Sequence, residues 1–210
     1  MLQLAVYALI FPLILKNDIP YYTIFVCVGL IPWTFFTTTV NQAAFTIIAN
    51  GNIIKKVYFP REILPISVVT SNAVNFVIST IIILAFVIIY GLGVTPYILL
   101  YPFILLIQYI LLLGISFILS SITVYFRDLE HIIGIILMVM FYATPIVYSL
   151  DTLPEPFVTI MQLNPMAHII EGYRSIFYYQ TMPNMNNLLI LLALSIILLV
   201  IGYFIFKKLQ

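Results

Sequence analysis

Apolar and polar positions along this chain separate into long blocks. Five stretches, Tyr22–Ala49, Ile66–Tyr90, Tyr97–Tyr125, Ile132–Tyr148 and Leu188–Phe206, contain no Asp, Glu, Lys or Arg. About 20 apolar residues in a helix cross a hydrocarbon core of roughly 30 Å. Each stretch therefore predicts a membrane-spanning helix, with Ile132–Tyr148 the shortest. The opening run "MLQLAVYALIFPLIL", residues 1–15, is also apolar. At about 1.5 Å per residue it reaches about 22 Å, most of a further span.

Between Tyr148 and Leu188 the pattern changes. "EPFVTIMQL" and "MAHIIEGYRSIFYY" are each compatible with a helix and are separated by Asn164-Pro165. Asn-Pro favours a turn and biases the residue before proline away from the helical region. The two pieces are too short to span and too apolar for a solvated loop. The expectation is two half-helices over 153–179 that dip into one leaflet and return, shielded by protein.

Charge sets the orientation. Counting the opening run, alternate connections carry Lys55, Lys56, Arg61, Arg127, Lys207 and Lys208 on one side, against Lys16 and Arg174 on the other. The excess of Lys and Arg marks the cytoplasmic side. The expected architecture is all-α and integral to the membrane: one transmembrane domain over 1–210, six helices, and a cytoplasmic C-terminus. An N-terminus extended beyond this start would also be cytoplasmic, and no cleavable signal peptide is expected. Composition agrees: 64% of residues are hydrophobic and 7% charged, where a soluble domain carries roughly 25% charged residues. A net charge of +1 gives no electrostatic reason for a nucleic-acid partner. Cys27 is the single cysteine, so no intrachain disulfide forms.

Much chemistry is missing. None of Asp, Glu, Lys, Arg and His sits in the middle of a span, which argues against a proton- or sodium-coupled carrier. There is no G-x-x-x-x-G-K-[ST] phosphate loop, no H-E-x-x-H and no Cys/His cluster, so neither an ATP site nor a metal site is expected. His131 and His168 stand apart at helix boundaries. Glu171 and Arg174 are three residues apart, a spacing that suits an ion pair on one helix. The same two groups could instead contact an exported headgroup or sugar. Trp33 follows Pro32 inside a span, where a kink and aromatic packing are both expected.

One segment breaks the apolar regime with structure of its own. "NGNIIKKVYFPREILP", Asn50–Pro65, joins two spans on the basic side. Gly51-Asn52 ends one helix, "IIKKVYF" forms a short interfacial amphipathic helix, and "PRE" restarts a helix with proline in its first turn. Positive-inside anchoring explains Lys55 and Lys56. It does not explain Val57, Tyr58 and Phe59 beside two prolines, which suit a knob for a partner's groove.

This segment resembles the hallmark stretch of ABC-2-type permeases that export polysaccharides such as O-antigen and teichoic acid. "KNDIPYY", "GLIPWTFF", "VYFRDLEHIIGIIL", "YATPIVYSLDTLPE" and "LNPMAHIIEGYRSIFYY" follow in matching order over nearly the whole chain. The resemblance implies a homodimeric permease in the bacterial cytoplasmic membrane, each copy joined to a cytoplasmic ATPase that binds ATP and Mg. No cofactor is expected in this chain, and membrane lipids are the surroundings. The cargo would be a glycan on polyprenyl pyrophosphate: O-antigen, teichoic acid or capsule. Lys55, Lys56, Val57, Tyr58, Phe59, Pro60, Arg61 and Glu62, with Arg127 and Asp128 of "FRDLEH", would couple to the ATPase. Trp33, Phe36, Tyr142, Tyr148 and Tyr173 would suit sugar faces along the pathway, with Glu171 and Arg174 near the exit. Family members usually begin with an amphipathic helix and a basic stretch, whereas this sequence starts within the first span. Three other readings stay open: an ABC-2 exporter of another lipid or a drug, a scaffold or inactive remnant, and a membrane enzyme acting on lipid-linked substrates. The last would draw on Asp128, Glu130 and His131.

Overall fold

The computed structural model describes residues 20–209 except 57, 58, 127, 150–153, 156–160 and 162; the side chains of Ile53 and Glu130 are likewise left out. The expected first span over 1–15 and most of the first half-helix, 155–163, lie outside the described residues.

Every regular element among the described residues is helical. In chain order these are α1 (Tyr22–Ala49), α2 (Gly51–Ile54), α3 (Ile63–Ile89), a 3₁₀ turn (Pro96–Leu100) running into α4 (Tyr101–Thr123), α5 (Leu129–Tyr142), α6 (Pro165–Phe177) and α7 (Met185–Leu209). Four of these segments are long and apolar enough to cross a membrane: α1, α3, the 3₁₀ turn with α4, and α7.

Three local expectations change. Helix α5 ends at Tyr142 rather than Tyr148, and Thr144–Ser149 follow a non-helical course. Pro145 disfavours helix at Thr144, whose hydroxyl instead donates to the Met140 carbonyl at 2.6 Å. Among the described residues of the basic segment, regular helix is the single turn α2, with Lys55–Lys56 forming a turn after it. Gly51 thus opens that turn of helix rather than ending one. Helix α3 begins at Ile63, so the proline in its first turn is Pro65, not Pro60. That position tolerates a missing N–H, because the first turn has no intrahelical acceptor for it.

Helix α1 is the central post, with 78% of its most apolar window buried. It packs against α3, α4, α5 and α6. Phe35 and Phe76 stack across the α1–α3 contact, with centroids 5.0 Å apart. The helix runs unbroken through Pro32. Fully buried Gln108 of α4 donates to the Pro32 carbonyl at 2.9 Å. The α4–α7 contact is the most extensive in the structure and rests on glycine. A Cβ on Gly202 would lie 2.5 Å from the Gly114 carbonyl oxygen, and one on Gly114 2.8 Å from the Leu199 nitrogen. Backbone approach this close gives dispersion contact where lipid removes any hydrophobic preference between helices.

The chain ends sort into two caps. At one, Tyr22 donates to the Val147 carbonyl (2.8 Å), Tyr178 to that of Pro20 (2.6 Å) and Gln180 to that of Leu92 (2.7 Å). At the other, Tyr125 donates to the Leu209 carbonyl at 3.1 Å, and Glu62 lies within electrostatic reach of Lys207. This second cap carries Lys55, Lys56, Arg61, Lys207 and Lys208, all exposed.

Gly202→Ala should lower stability by about 1–3 kcal/mol through overpacking, read as a fall in the unfolding temperature of the purified protein. Gly134 has nothing within 4 Å of an added Cβ. Gly134→Ala should be neutral or stabilising by up to about 1 kcal/mol. Equal effects of the two substitutions would refute the close crossing.

Candidate functional site

The basic cap holds the expected coupling residues. Lys55, Lys56, Pro60 and Arg61 are exposed, Asp128 is exposed at the start of α5, and Phe59 and Glu62 are half-buried. Val57, Tyr58 and Arg127 lie outside the described residues. Pro60, Arg61 and Glu62 form a tight turn into α3: their carbonyls accept from Ile63 (3.2 Å), Leu64 (3.1 Å) and Ile66 (3.3 Å). The turn therefore joins the exposed basic segment directly to a membrane-spanning helix.

At the opposite cap, α6 is held by its own sequence. Asn164 is extended at φ −79 and ψ 118, and its side-chain oxygen accepts from the Met166 amide at 3.0 Å. Pro165 follows at the first helical position, an N-cap and proline pairing that needs no further help. The Asn164 amide nitrogen donates to the Thr144 hydroxyl at 2.7 Å, tying α6 to the segment after α5.

From this helix Arg174 reaches inward and is 1% exposed. Its Nη2 donates to the Ile146 carbonyl at 2.7 Å. Its guanidinium carbon stands 3.5 Å from the centre of the Phe25 ring. Burial lowers its pKa to about 10, which leaves the group charged at neutral pH. Glu171 opposes that shift through its negative charge. Gly29 makes the room: a Cβ there would lie 3.1 Å from the Ile146 oxygen and 3.2 Å from Arg174 Nη2. Tyr173, also 1% exposed, donates to Gln108 Oε1 at 3.2 Å. Neither Tyr173 nor Arg174 lines an open path in this structure; both bolt α6 to α1 and α4. Burial leaves Tyr173, expected along the pathway, and Arg174, expected near the exit, no free surface in this structure.

The other expected pathway residues divide. Trp33 and Phe36 are buried, at 5.4 Å between ring centres. Trp33 still contributes to a groove of about 300 Å³ between α1 and α5, with Thr37, Asn41, Met138, Phe141 and Tyr142. Tyr142 is 64% exposed there, and Tyr148 donates to its carbonyl at 2.6 Å. Glu171 lines a separate polar cavity beside α7.

A second furrow, of about 370 Å³, runs between α1 and α3 and escaped the sequence reading. Thr34 and Thr38 line one wall; Asn72, Asn75 and Ser79 line the other. Asn72 Nδ2 donates to Gln42 Oε1 at 2.8 Å toward the basic cap. The signal was present in the sequence. Thr34, Thr38 and Gln42 recur every four residues, as do Ser67, Ser71, Asn75 and Ser79, so each set shares one helix face. Hydroxyls such as Ser79 bond back to their own helix, at little cost. Exposed Asn75 has an amide that hydrocarbon cannot solvate. Gln108 carries a signal of the same kind, since an uncharged amide within a span is as telling as a charge.

A double-mutant cycle between Phe25→Leu and Arg174→Met should return a coupling of about 1–2 kcal/mol in unfolding free energy, as expected for a desolvated cation over a ring. Additive effects would show that the ring contact contributes nothing.

Comparison with known proteins agrees with this architecture. Residues 1–178 match the family described as ABC-2 type transporter. The chain is similar to the O-antigen export system permease protein RfbA of Klebsiella pneumoniae, 38% identical over 208 residues, covering 98% of this chain and 79% of that protein. It is 37% identical over 200 residues to the protein of the same name from Myxococcus xanthus, covering 94% of this chain and 77% of the relative. A multi-pass helical membrane protein with these matches belongs to the ABC-2 type transporter family.

Proposed function

We propose that this chain is the membrane-spanning permease subunit of an ATP-driven exporter that carries lipid-linked O-antigen polysaccharide across the bacterial cytoplasmic membrane. The observation that carries the reading is similarity along 98% of the chain to a permease named for O-antigen export. The chain lacks a phosphate-loop motif, so a separate ATPase subunit supplies the energy and binds ATP and Mg. The basic cap faces the cytoplasm under the positive-inside rule, which puts the C-terminus on that side. There Lys55–Glu62 and Asp128 meet the ATPase, with Phe59 as an aromatic anchor of the kind that dominates interface energetics.

Two copies enclose the pathway. Helix α5 leaves Ile135, Ile136, Val139 and Tyr142 exposed, and the adjoining groove with Trp33 and Tyr142 suits the apolar faces of sugars. The furrow of Thr34, Thr38, Asn75 and Ser79 adds hydroxyl and amide groups that match sugar hydroxyls. The Asn75 amide belongs against water or a polar cargo, because facing acyl chains would leave its hydrogen bonds unmade. The same chemistry would serve a teichoic-acid or capsule glycan on a polyprenyl-pyrophosphate carrier.

Deleting the gene should cause lipid-linked glycan to accumulate in the cytoplasmic leaflet, with its composition identifying the cargo. The intact gene should clear it. Asn75→Leu combined with Thr38→Val should not, at unchanged protein level. Tyr58→Ala with Phe59→Ala should weaken co-purification of the ATPase by roughly 30-fold, the equivalent of about 2 kcal/mol for aromatic anchors. No accumulation on deletion would reject the transport reading, and undiminished co-purification would reject the coupling segment.

A further inference from the structure

The polar groups beside the α1–α3 furrow stop at one depth on both helices. On α1, hydroxyl and amide side chains crowd the stretch from Thr34 to Gln42, toward the basic cap, whereas Ile24–Trp33 contains none. On α3 they run from Ser67 to Thr80, again nearer the basic cap, whereas Ile81–Ile89 contains none. The furrow follows this division. Thr34, Thr38, Asn72, Asn75 and Ser79 line its part toward the basic cap, and Leu30, Ile31 and Ile82 line its far end. The stacked rings of Phe35 and Phe76 back it.

This change along the membrane normal says what the polar part faces. Acyl chains present the same apolar chemistry at every depth, so they give no reason for two walls to change character together. Water that enters from one end and stops does give one. Asn75 follows Ile63 by twelve residues, about 18 Å along the helix axis, which brings it near the middle of a membrane roughly 30 Å thick. Its side-chain amide is exposed and has no hydrogen-bond partner among the described residues. An unpaired amide is costly in hydrocarbon, and water reaching that depth removes the cost.

We infer that the furrow is a water-filled inlet, open at the basic cap and closed beyond Thr34 and Ser79 by an apolar collar of Leu30, Ile31 and Ile82. Leu30 and Ile31 are buried and Ile82 is half-buried, a constriction of the kind that excludes water by dewetting. The inlet rests on the exporter reading for its use and on the positive-inside orientation for its direction. Cargo sugars enter along the polar walls from the cytoplasm, and the collar parts before they pass. This structure is the form sealed toward the outside.

The test places single cysteines in the full chain after Cys27→Ala, which removes its one native thiol. Reaction with a membrane-impermeant methanethiosulfonate is timed in intact cells and in inverted vesicles, whose outer face is the cytoplasmic one. Thiols react as thiolates, and a thiol pKa raised by about one unit in apolar surroundings slows the reaction about tenfold. In inverted vesicles Thr38→Cys, Asn75→Cys and Ser79→Cys should therefore react roughly tenfold faster than Val77→Cys. Val77 is 46% exposed at the same depth, but about 200° around α3 from Asn75. Ile82→Cys should be as slow as Val77→Cys, and in intact cells every position should be slow. Three inlet positions on two walls keep the test alive if one variant misfolds. Uniformly slow reaction at 38, 75 and 79, or cross-linking of Asn75→Cys between two copies, would overturn the inlet. Fast reaction at 82, or faster reaction in intact cells than in vesicles, would overturn the collar. Labelling needs neither cargo nor ATPase, so its failure leaves the export reading to stand or fall on the gene deletion.

Discussion

In hydrocarbon, apolar surface alone gives one helix no reason to prefer another helix over lipid. Association in this protein therefore depends on how closely backbones approach and on which polar groups find partners. The Gly114–Gly202 crossing meets the first condition, since any side chain at Gly202 would collide with a carbonyl of α4. The Gln108 bridge meets the second by joining the Pro32 carbonyl to the Tyr173 hydroxyl. Together they hold α1, α4, α6 and α7 as one unit. Helix α5 touches mainly α1 and keeps a broad exposed apolar face.

Helix α6 depends on that unit and completes it. It is too short to span, and ten of its residues are buried. Its position comes from Asn164 at one end and Arg174 toward the other. The guanidinium is costly to bury, and its hydrogen bond and ring contact offset that cost only because Gly29 lets the three groups meet. A permanently charged group inside the protein is tolerable where its partners are rigid, and here they are a backbone carbonyl and a packed ring.

Polar side chains serve two distinct ends. Those that bond inward, such as Gln108 and Tyr173, set the relative positions of helices. Those that open into furrows, such as Asn75, Thr38 and Asn41, leave hydrogen-bonding capacity for water or cargo. A permease needs both, because the surface that guides a glycan must be held by contacts that the glycan does not disturb.

The sequence by itself determined the membrane class, the extent of α1 and the Asn-Pro boundary of α6. Apolar run length, charge exclusion and proline geometry are local properties, readable from neighbours in the chain. It also marked the basic cap, since Lys and Arg cluster by the side on which a loop remains. What only the tertiary structure decided was which polar residues are bolts and which are open. Tyr173 and Tyr142 look alike in sequence; one lies buried against Gln108 and the other faces a groove. Arg174 reads in sequence as a partner for Glu171 or for cargo; only the fold shows that it also clamps Phe25 and Ile146. Those contacts join residues 149 and 28 positions away in the chain, and no local pattern encodes a distance of that kind.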